Sequence, residues 1–285
     1  MQKNTAYVIG TIAVFLAVAA MIPKTTTMNA MAQPSNSTGA NVTALSNAVS
    51  NAVNSAQSSS SSSQPVCGEV IKHNVMLTAN LNCSGDGLIV GADGVTINLN
   101  GFFITGPGSG TSTRGIIIPN VGDVKIIGPS VISGFGTAID YTGGPGGGNV
   151  TAVIISNNGN GISLTGTKGV FIQDDLINHN NVGVSSQSSS GGNVSSNIIN
   201  NNAQSGVVLV NTQNMGVSTN NIIGDGSSGV FVDSQSGGNN IGFNNVFGNN
   251  VDINNANGLP LNINNNSMHD NNCFNSNPGG LCIGR

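Results

Sequence analysis

Tryptophan is absent from this chain of 285 residues, tyrosine occurs twice, and only 6 % of residues are charged. Globular domains usually carry about 25 % charged residues. The deficit in charge excludes the usual disordered composition, which needs low hydrophobicity together with high net charge, because 38 % of this chain is hydrophobic. Basic residues are scarcest. After residue 32 they are Lys72, Arg114, Lys125, Lys168 and Arg285, against eleven acidic residues that all follow residue 66. A chain without a basic patch makes nucleic acid a poor partner, and an anionic membrane surface likewise. Long helical stripes are missing too, so no amphipathic bundle is expected.

What is abundant is glycine, 41 residues of it, together with asparagine and serine. The glycines are not scattered. A small residue opens a short apolar strand at Gly87, Gly115, Ala138, Gly161, Gly183, Gly206 and Gly229, with Val251 as the expected eighth member. After one longer first step the spacing is 22 or 23 residues. A fixed period in the twenties made of strands and turns is the mark of a solenoid. Within a repeat, Val95, Ile97 and Leu99 alternate with polar neighbours, as a strand with one buried face requires. Turn-forming clusters such as 105–113, 143–149 and 185–193 separate the strands.

Aligned on this period, the pairs Val131-Ile132, Ile154-Ile155, Leu176-Ile177, Ile198-Ile199, Ile222-Ile223 and Val246-Phe247 form an aliphatic column. The residue before each pair reads Asp175, Asn197, Asn221 and Asn245 over the later coils. Stacked amides hydrogen-bond along the axis, so these four residues are expected to form a buried ladder, extended by Asn265 or Asn266. Most of the aromatic side chains are expected to serve the core or the caps.

Outside the repeats, Ala6 to Ile22 is an uncharged, mainly apolar run that follows Lys3, and Ala30-Met31-Ala32 offers a small-residue cleavage motif. Residues 1–32 therefore read as an export signal, or as a membrane anchor if uncleaved, which would be the chain's only membrane contact. Residues 33–66 form a Ser/Asn-rich disordered linker and 67–285 the folded solenoid. Export makes disulfides the reading for Cys67, Cys83, Cys273 and Cys282. About eight coils at ~4.8 Å each hold the ends roughly 35–40 Å apart, so only Cys67–Cys83 and Cys273–Cys282 satisfy disulfide geometry. The two segments they close are expected to cap the ends. Sequons at Asn36, Asn41, Asn149, Asn193 and Asn265 are glycosylation candidates; a further sequon at Asn82 precedes a cap cysteine.

The runs Cys67-Gly68-Glu69, Leu81-Asn82-Cys83-Ser84-Gly85-Asp86-Gly87-Leu88-Ile89 and 91–101 (GADGVTINLNG) resemble the start of right-handed parallel β-helix repeat proteins of the pectate-lyase-like superfamily. The resemblance covers about residues 67–285 and implies an all-β, right-handed, single-stranded parallel β-helix of about eight coils. At the level of fold it extends to NosD-type copper-associated proteins. Activity does not follow from it, since lyases, hydrolases and adhesins share the fold.

Hydrolysis needs two carboxylates about the glycosidic bond. Asp174 and Asp175 with His179 are the only cluster of that kind, yet adjacent strand residues face opposite ways. Gly-His-Gly and Arg-x-Lys signatures that the resemblance would bring for polygalacturonases are absent. Lys125 and Lys168 are isolated, which leaves a lyase without a base in an acidic cluster, and both read as solvated surface lysines. His73, His179 and His269 are scattered and no C-x-x-C occurs, so no metal site and no cofactor is implied; Met268-His269-Asp270 reads as a surface turn. Calcium at Asp86, Asp93 or Asp225 lacks the tandem nonapeptide repeat. The expected role is structural or adhesive at the cell surface, with surface polysaccharide or other envelope components as partners. A carbohydrate-active hydrolase or lyase, and a copper-handling envelope protein, stand as the alternatives.

Overall fold

The computed structural model describes residues 64–258 and 263–283. The expected export signal lies outside the described residues, as does the linker up to residue 63, with Asn36 and Asn41 in it. Gln64 already belongs to the fold, since its Oε1 accepts from the N–H groups of Thr78 and Ala79, at 2.6 and 3.0 Å.

Each described strand pairs in parallel with its counterpart in a neighbouring coil, and each coil has three faces. The first face stacks ten strands, Val70–Ile71, Leu88–Val90, Arg114–Pro119, Thr137–Thr142, Asn160–Thr165, Val182–Gln187, Val207–Val210, Ser228–Val232, Val251–Asn255 and Ser276–Asn277. Ten stacked strands make about nine turns, one more than the period alone suggested, because the short capping segments pair as strands too. The second and third faces share one sheet of 16 strands, because Val124–Ser133 and Gly148–Ser156 run unbroken around the corner between them. Among the described residues the only helical element is the 3₁₀ turn Ile263–Asn265.

Alternation decides what is buried. The middle residues of the second face, Ile97, Ile126, Val150, Ile172, Val194, Val217 and Ile241, stack in register with essentially no exposure. On the third face the column is Ile132, Ile155, Ile177, Ile199, Ile222 and Val246. A fully buried aliphatic side chain of this size contributes about 1.5–3 kcal/mol. Small residues recur on the first face for a steric reason: a Cβ on Gly183 would lie 2.5 Å from the carbonyl oxygen of Gly206. The eighth member of that column is Asp252 and not Val251, since Ser228 pairs with Val251 and Val230 with Ile253.

A second correction concerns the aliphatic pairs. Ile198 aligns with Asn221 and Ile199 with Ile222, so Ile222 is buried and Ile223 is 39 % exposed. The coil-to-coil step grows from 22 residues to 23 and then 24 at this column, and a slip of one residue turns a side chain to the other face. Among the described aromatic residues Phe135 and Tyr141 are fully buried, Phe102 packs against the core and Phe274 of the closing segment packs on Phe247, whereas Phe103, Phe171 and Phe243 are exposed.

Both disulfides join the cysteines expected. Cys67–Cys83 and Cys273–Cys282 have Cα separations of 5.5 and 5.1 Å. They close the first and last coils, where each solenoid end has neighbours on one side only.

Candidate functional site

The carboxylate pair singled out by the sequence does not form a site. Asp174 is exposed, with φ 58°, and takes its place in a corner column of left-handed residues with Ala152, Ser196, Thr219, Phe243 and Asp270. His179 occupies another such column with Asn157 and Asn201. Asp, Asn and His tolerate this backbone region better than other side chains, which accounts for both residues without chemistry. Asp175 is only 1 % exposed and points inward, where its Oδ1 accepts from the Val153 N–H at 2.8 Å. Burial pushes its carboxyl group well above the ordinary range, and the nearby Asp174 adds to the rise. The three residues therefore do not converge.

Asp175 begins an asparagine ladder, but not the one the pairs implied. Its N–H donates to Asn197 Oδ1 at 3.0 Å, and the column continues through Asn220, Asn244 and Asn271. Asn221 and Asn245, expected as rungs, sit one residue further along and pair with Ile198 and Asn272 on the solvent side of the strand. Asn266 belongs instead beside Asn239, and Asn265 is exposed. A second ladder, missed entirely, runs from Asn158 through Asn180, Asn202, Asp225 and Asn249 to Asp252. Its signal in the sequence was the asparagine or aspartate three residues after each of Ile155, Ile177, Ile199, Ile222 and Val246.

The outward side of the second face departs most from the repeat. Lys125, Asn149, Phe171, Asn193, Gly216 and Asn240 align there in strict register, and no two consecutive coils carry the same residue. Around the first three lies an open groove of about 310 Å³, lined also by Asp123, Gln173 and the glycines Gly147, Gly148 and Gly169. That volume is at the lower end of the range for small-ligand sites. The glycines keep its floor low: a Cβ on Gly147 would lie 2.0 Å from Asp123 Oδ1. Phe171 is 47 % exposed, and the amide oxygens of its neighbours Asn149 and Asn193 are buried without a hydrogen-bond partner.

The groove thus offers one aromatic face, one cation, one carboxylate and two amides. Lys125 lines it, whereas Arg114 is committed to Asp140 at 3.3 Å and Asp86 at 3.8 Å. Lys168, next to Gly169, is exposed nearby. Among the described residues no three His, Cys, Asp or Glu side chains gather as they would for a metal ion. Met268 of the proposed trio is buried, while His269 lies between Asp270 Oδ2 at 3.0 Å and Asn240 Oδ1 at 2.9 Å. Of the calcium candidates, Asp93 accepts from the Gly122 N–H, Asp86 accepts from the Arg114 N–H, and Asp225 is buried in the second ladder. Sequence reasoning left the groove unseen, with Lys125 read as isolated and Asn149 and Asn193 as sequons. The available signal was the outward position flanking each buried middle residue.

Residues 82–246 match the family described as right handed beta helix region. No curated protein matches the chain in sequence. Among solved structures, the enzymatically active domain of tailspike protein 2 of bacteriophage CBA120 is similar at 15 % identity and TM-score 0.44. That likeness covers 72 % of this chain and 38 % of the tailspike domain, so the chain spans well under half of it. The A-module of mannuronan C-5 epimerase AlgE6 from Azotobacter vinelandii follows at 14 % identity and TM-score 0.22, over 74 % of this chain and 80 % of the module.

Proposed function

The chain belongs to the right-handed beta helix family, and from that premise we propose that it is a glycan-contacting protein of the cell exterior that holds a saccharide without cleaving it. The observation that carries this reading is the groove around Phe171, where the outward column abandons the repeat. An exposed aromatic ring stacks on the apolar face of a sugar. Beside it, Asn149, Gln173, Lys125 and Asp123 supply the donors and acceptors that sugar hydroxyl groups need.

Chemistry on the sugar is disfavoured by the same geometry. Asp123 is the one carboxylate lining the groove, and acid–base hydrolysis of a glycoside uses two. An exterior location suits the two disulfides, which persist in oxidising compartments. Export through residues 1–32, and a Ser-rich tether over 33–66, complete the proposal.

A glycan array, followed by mass spectrometry of the bound glycans, tests it. Retention of intact glycan by the wild type and its loss in Phe171→Ala is the expected result. Shortened or unsaturated products would replace the binding role by an enzymatic one, and silence across envelope polysaccharides would leave a purely structural role.

A further inference from the structure

Each of these two asparagine ladders carries an aspartate in place of an amide rung, Asp175 at the start of the first and Asp225 within the second. An asparagine rung uses both ends of its amide. Its oxygen accepts from the preceding coil, while its nitrogen donates to the next rung and to a backbone carbonyl. Asn197 Nδ2 donates to Asn220 Oδ1 at 3.0 Å and to the Ile172 carbonyl at 2.9 Å; Asn220 Nδ2 donates to Asn244 Oδ1 at 3.0 Å and to the Val194 carbonyl at 2.8 Å.

At the aspartate rungs the accepting half is kept. Asp225 Oδ1 takes the Asn202 N–H at 2.8 Å and its Nδ2 at 2.9 Å, as Asp175 Oδ1 takes the Val153 N–H. The other oxygen stands where the ladder has a donor. Oδ2 of both aspartates is buried without a hydrogen-bond partner. The next rung presents only an acceptor, Asn197 Oδ1 or Asn249 Oδ1, already serving the aspartate's own N–H at 3.0 and 2.8 Å. An ionised carboxylate here would be buried short of donors, whereas a carboxylic acid restores one donor per rung.

We propose that Asp175 and Asp225 are built into the ladders as protonated carboxylic acids, so that the solenoid is tightest in acid and loosens at these two coils as the medium turns alkaline. Asp252 supplies the contrast within the same fold. It is equally buried, but four donors converge on it: Asn249 N–H and Nδ2 on Oδ1, at 3.2 and 3.0 Å, and the Phe274 and Asn275 N–H groups on Oδ2, at 2.8 and 3.2 Å. Both oxygens of Asp252 thus have donors, whereas one oxygen of Asp175 and of Asp225 has none. The groups against Asp225 are Asn202, Asn249 and the backbone of Gly206, all uncharged, with Asp252 beyond Asn249. Around Asp175, the neighbouring Asp174 opposes its ionisation, while the backbone N–H groups of Val153 and Gln173 favour it but do not offset its burial; the nearby Tyr141 hydroxyl group is neutral and donates to the Val124 carbonyl.

Burial raises Asp225 to about 7 and Asp175 well above the usual carboxylate range. The native state then keeps a proton that the unfolded chain releases above about pH 4. The stability this proton provides is complete below that value and, for Asp225, is lost as pH rises to about 7. Across the window, one extra native proton raises the unfolding constant about tenfold per pH unit.

Thermal and denaturant unfolding of the full chain between pH 4 and 9, with Asp225→Asn and Asp175→Asn beside the wild type, tests this. Asparagine returns the missing donor at either rung. The unfolding constant of the wild type should climb relative to Asp225→Asn by about a hundredfold or more between pH 4 and 7, with Asp225→Asn the more stable protein at pH 8. A difference that does not change with pH, or a less stable Asp225→Asn at pH 8, overturns the proposal. A second measurement needs no variant to fold: the ¹³C carboxyl resonance of Asp225 in the wild type should remain at its protonated position at pH 5, and an ionised resonance there also overturns it.

Discussion

The inner ladders and the outer column of the second face are built by the same coils, yet they obey opposite rules. In the ladder Asn197, Asn220, Asn244 and Asn271 the residue hardly changes, because each amide is the hydrogen-bond partner of the one in the next coil. Outside, at Lys125, Asn149, Phe171, Asn193 and Gly216, no two consecutive coils carry the same residue. A buried polar group must find its partner within the stack, so its neighbours constrain it. A side chain facing solvent has water as a partner and is free to vary. Repetition therefore marks architecture in this molecule, and the break in repetition is where a ligand has something distinctive to meet.

The comparison breaks most sharply at Asn220. Asn220→Ala leaves the N–H and Nδ2 of Asn197 without their acceptor and removes two further bonds, so a loss of roughly 3–5 kcal/mol is expected. Asn221→Ala, one residue along on the solvent side, should cost under about 1 kcal/mol. Denaturant unfolding of the two variants measures the difference, and equal losses would refute the register. Next in size is the last coil: replacing Cys273 and Cys282 by Ser should cost about 2–3 kcal/mol, with hydrogen exchange rising first near Ser267–His269 and Asn272–Cys273.

On the outer side the order of effects reverses. Phe171→Ala should weaken glycan binding by roughly tenfold, the worth of one stacked ring, while stability changes by less than about 0.5 kcal/mol. Lys125→Ala should have a smaller, salt-dependent effect on the same binding, read by titration at two ionic strengths. Smallest of all are Asp174→Asn and His179→Asn. Both keep a residue type suited to the left-handed corner, so neither stability nor glycan handling should move. A loss of glycan processing in either would reinstate the carboxylate pair as a site.

Much of the fold was legible because a solenoid writes its contacts into one dimension. Residues 22 to 24 apart meet through the middle coils, so a period read along the chain is also a map of neighbours. The two disulfides followed from that map, since the ends of the stack lie too far apart for any other pairing. The candidate catalytic pair was misleading for a local reason: Asp174 and His179 answer to the backbone torsion at a corner, which composition does not display. The groove was hidden for another. Lys125, Asn149 and Phe171 come from three coils, and each alone looks like an ordinary surface residue.

The repeat itself, the aliphatic strands and the cysteine-closed ends were determined by the sequence alone, through alternation of buried and exposed residues at a fixed period. Register was decided by tertiary structure. The doublets Asn220-Asn221, Asn244-Asn245 and Asn271-Asn272 read the same in either alignment, and Ile222-Ile223 is apolar at both positions. Only stacking against the coil before it, with its own Asn197 and Ile199 already placed, turned Asn220 and Ile222 inward. The same stacking brought an aromatic ring, a cation and two amides onto one strip of surface, and left two buried aspartates facing acceptors where their neighbours carry donors.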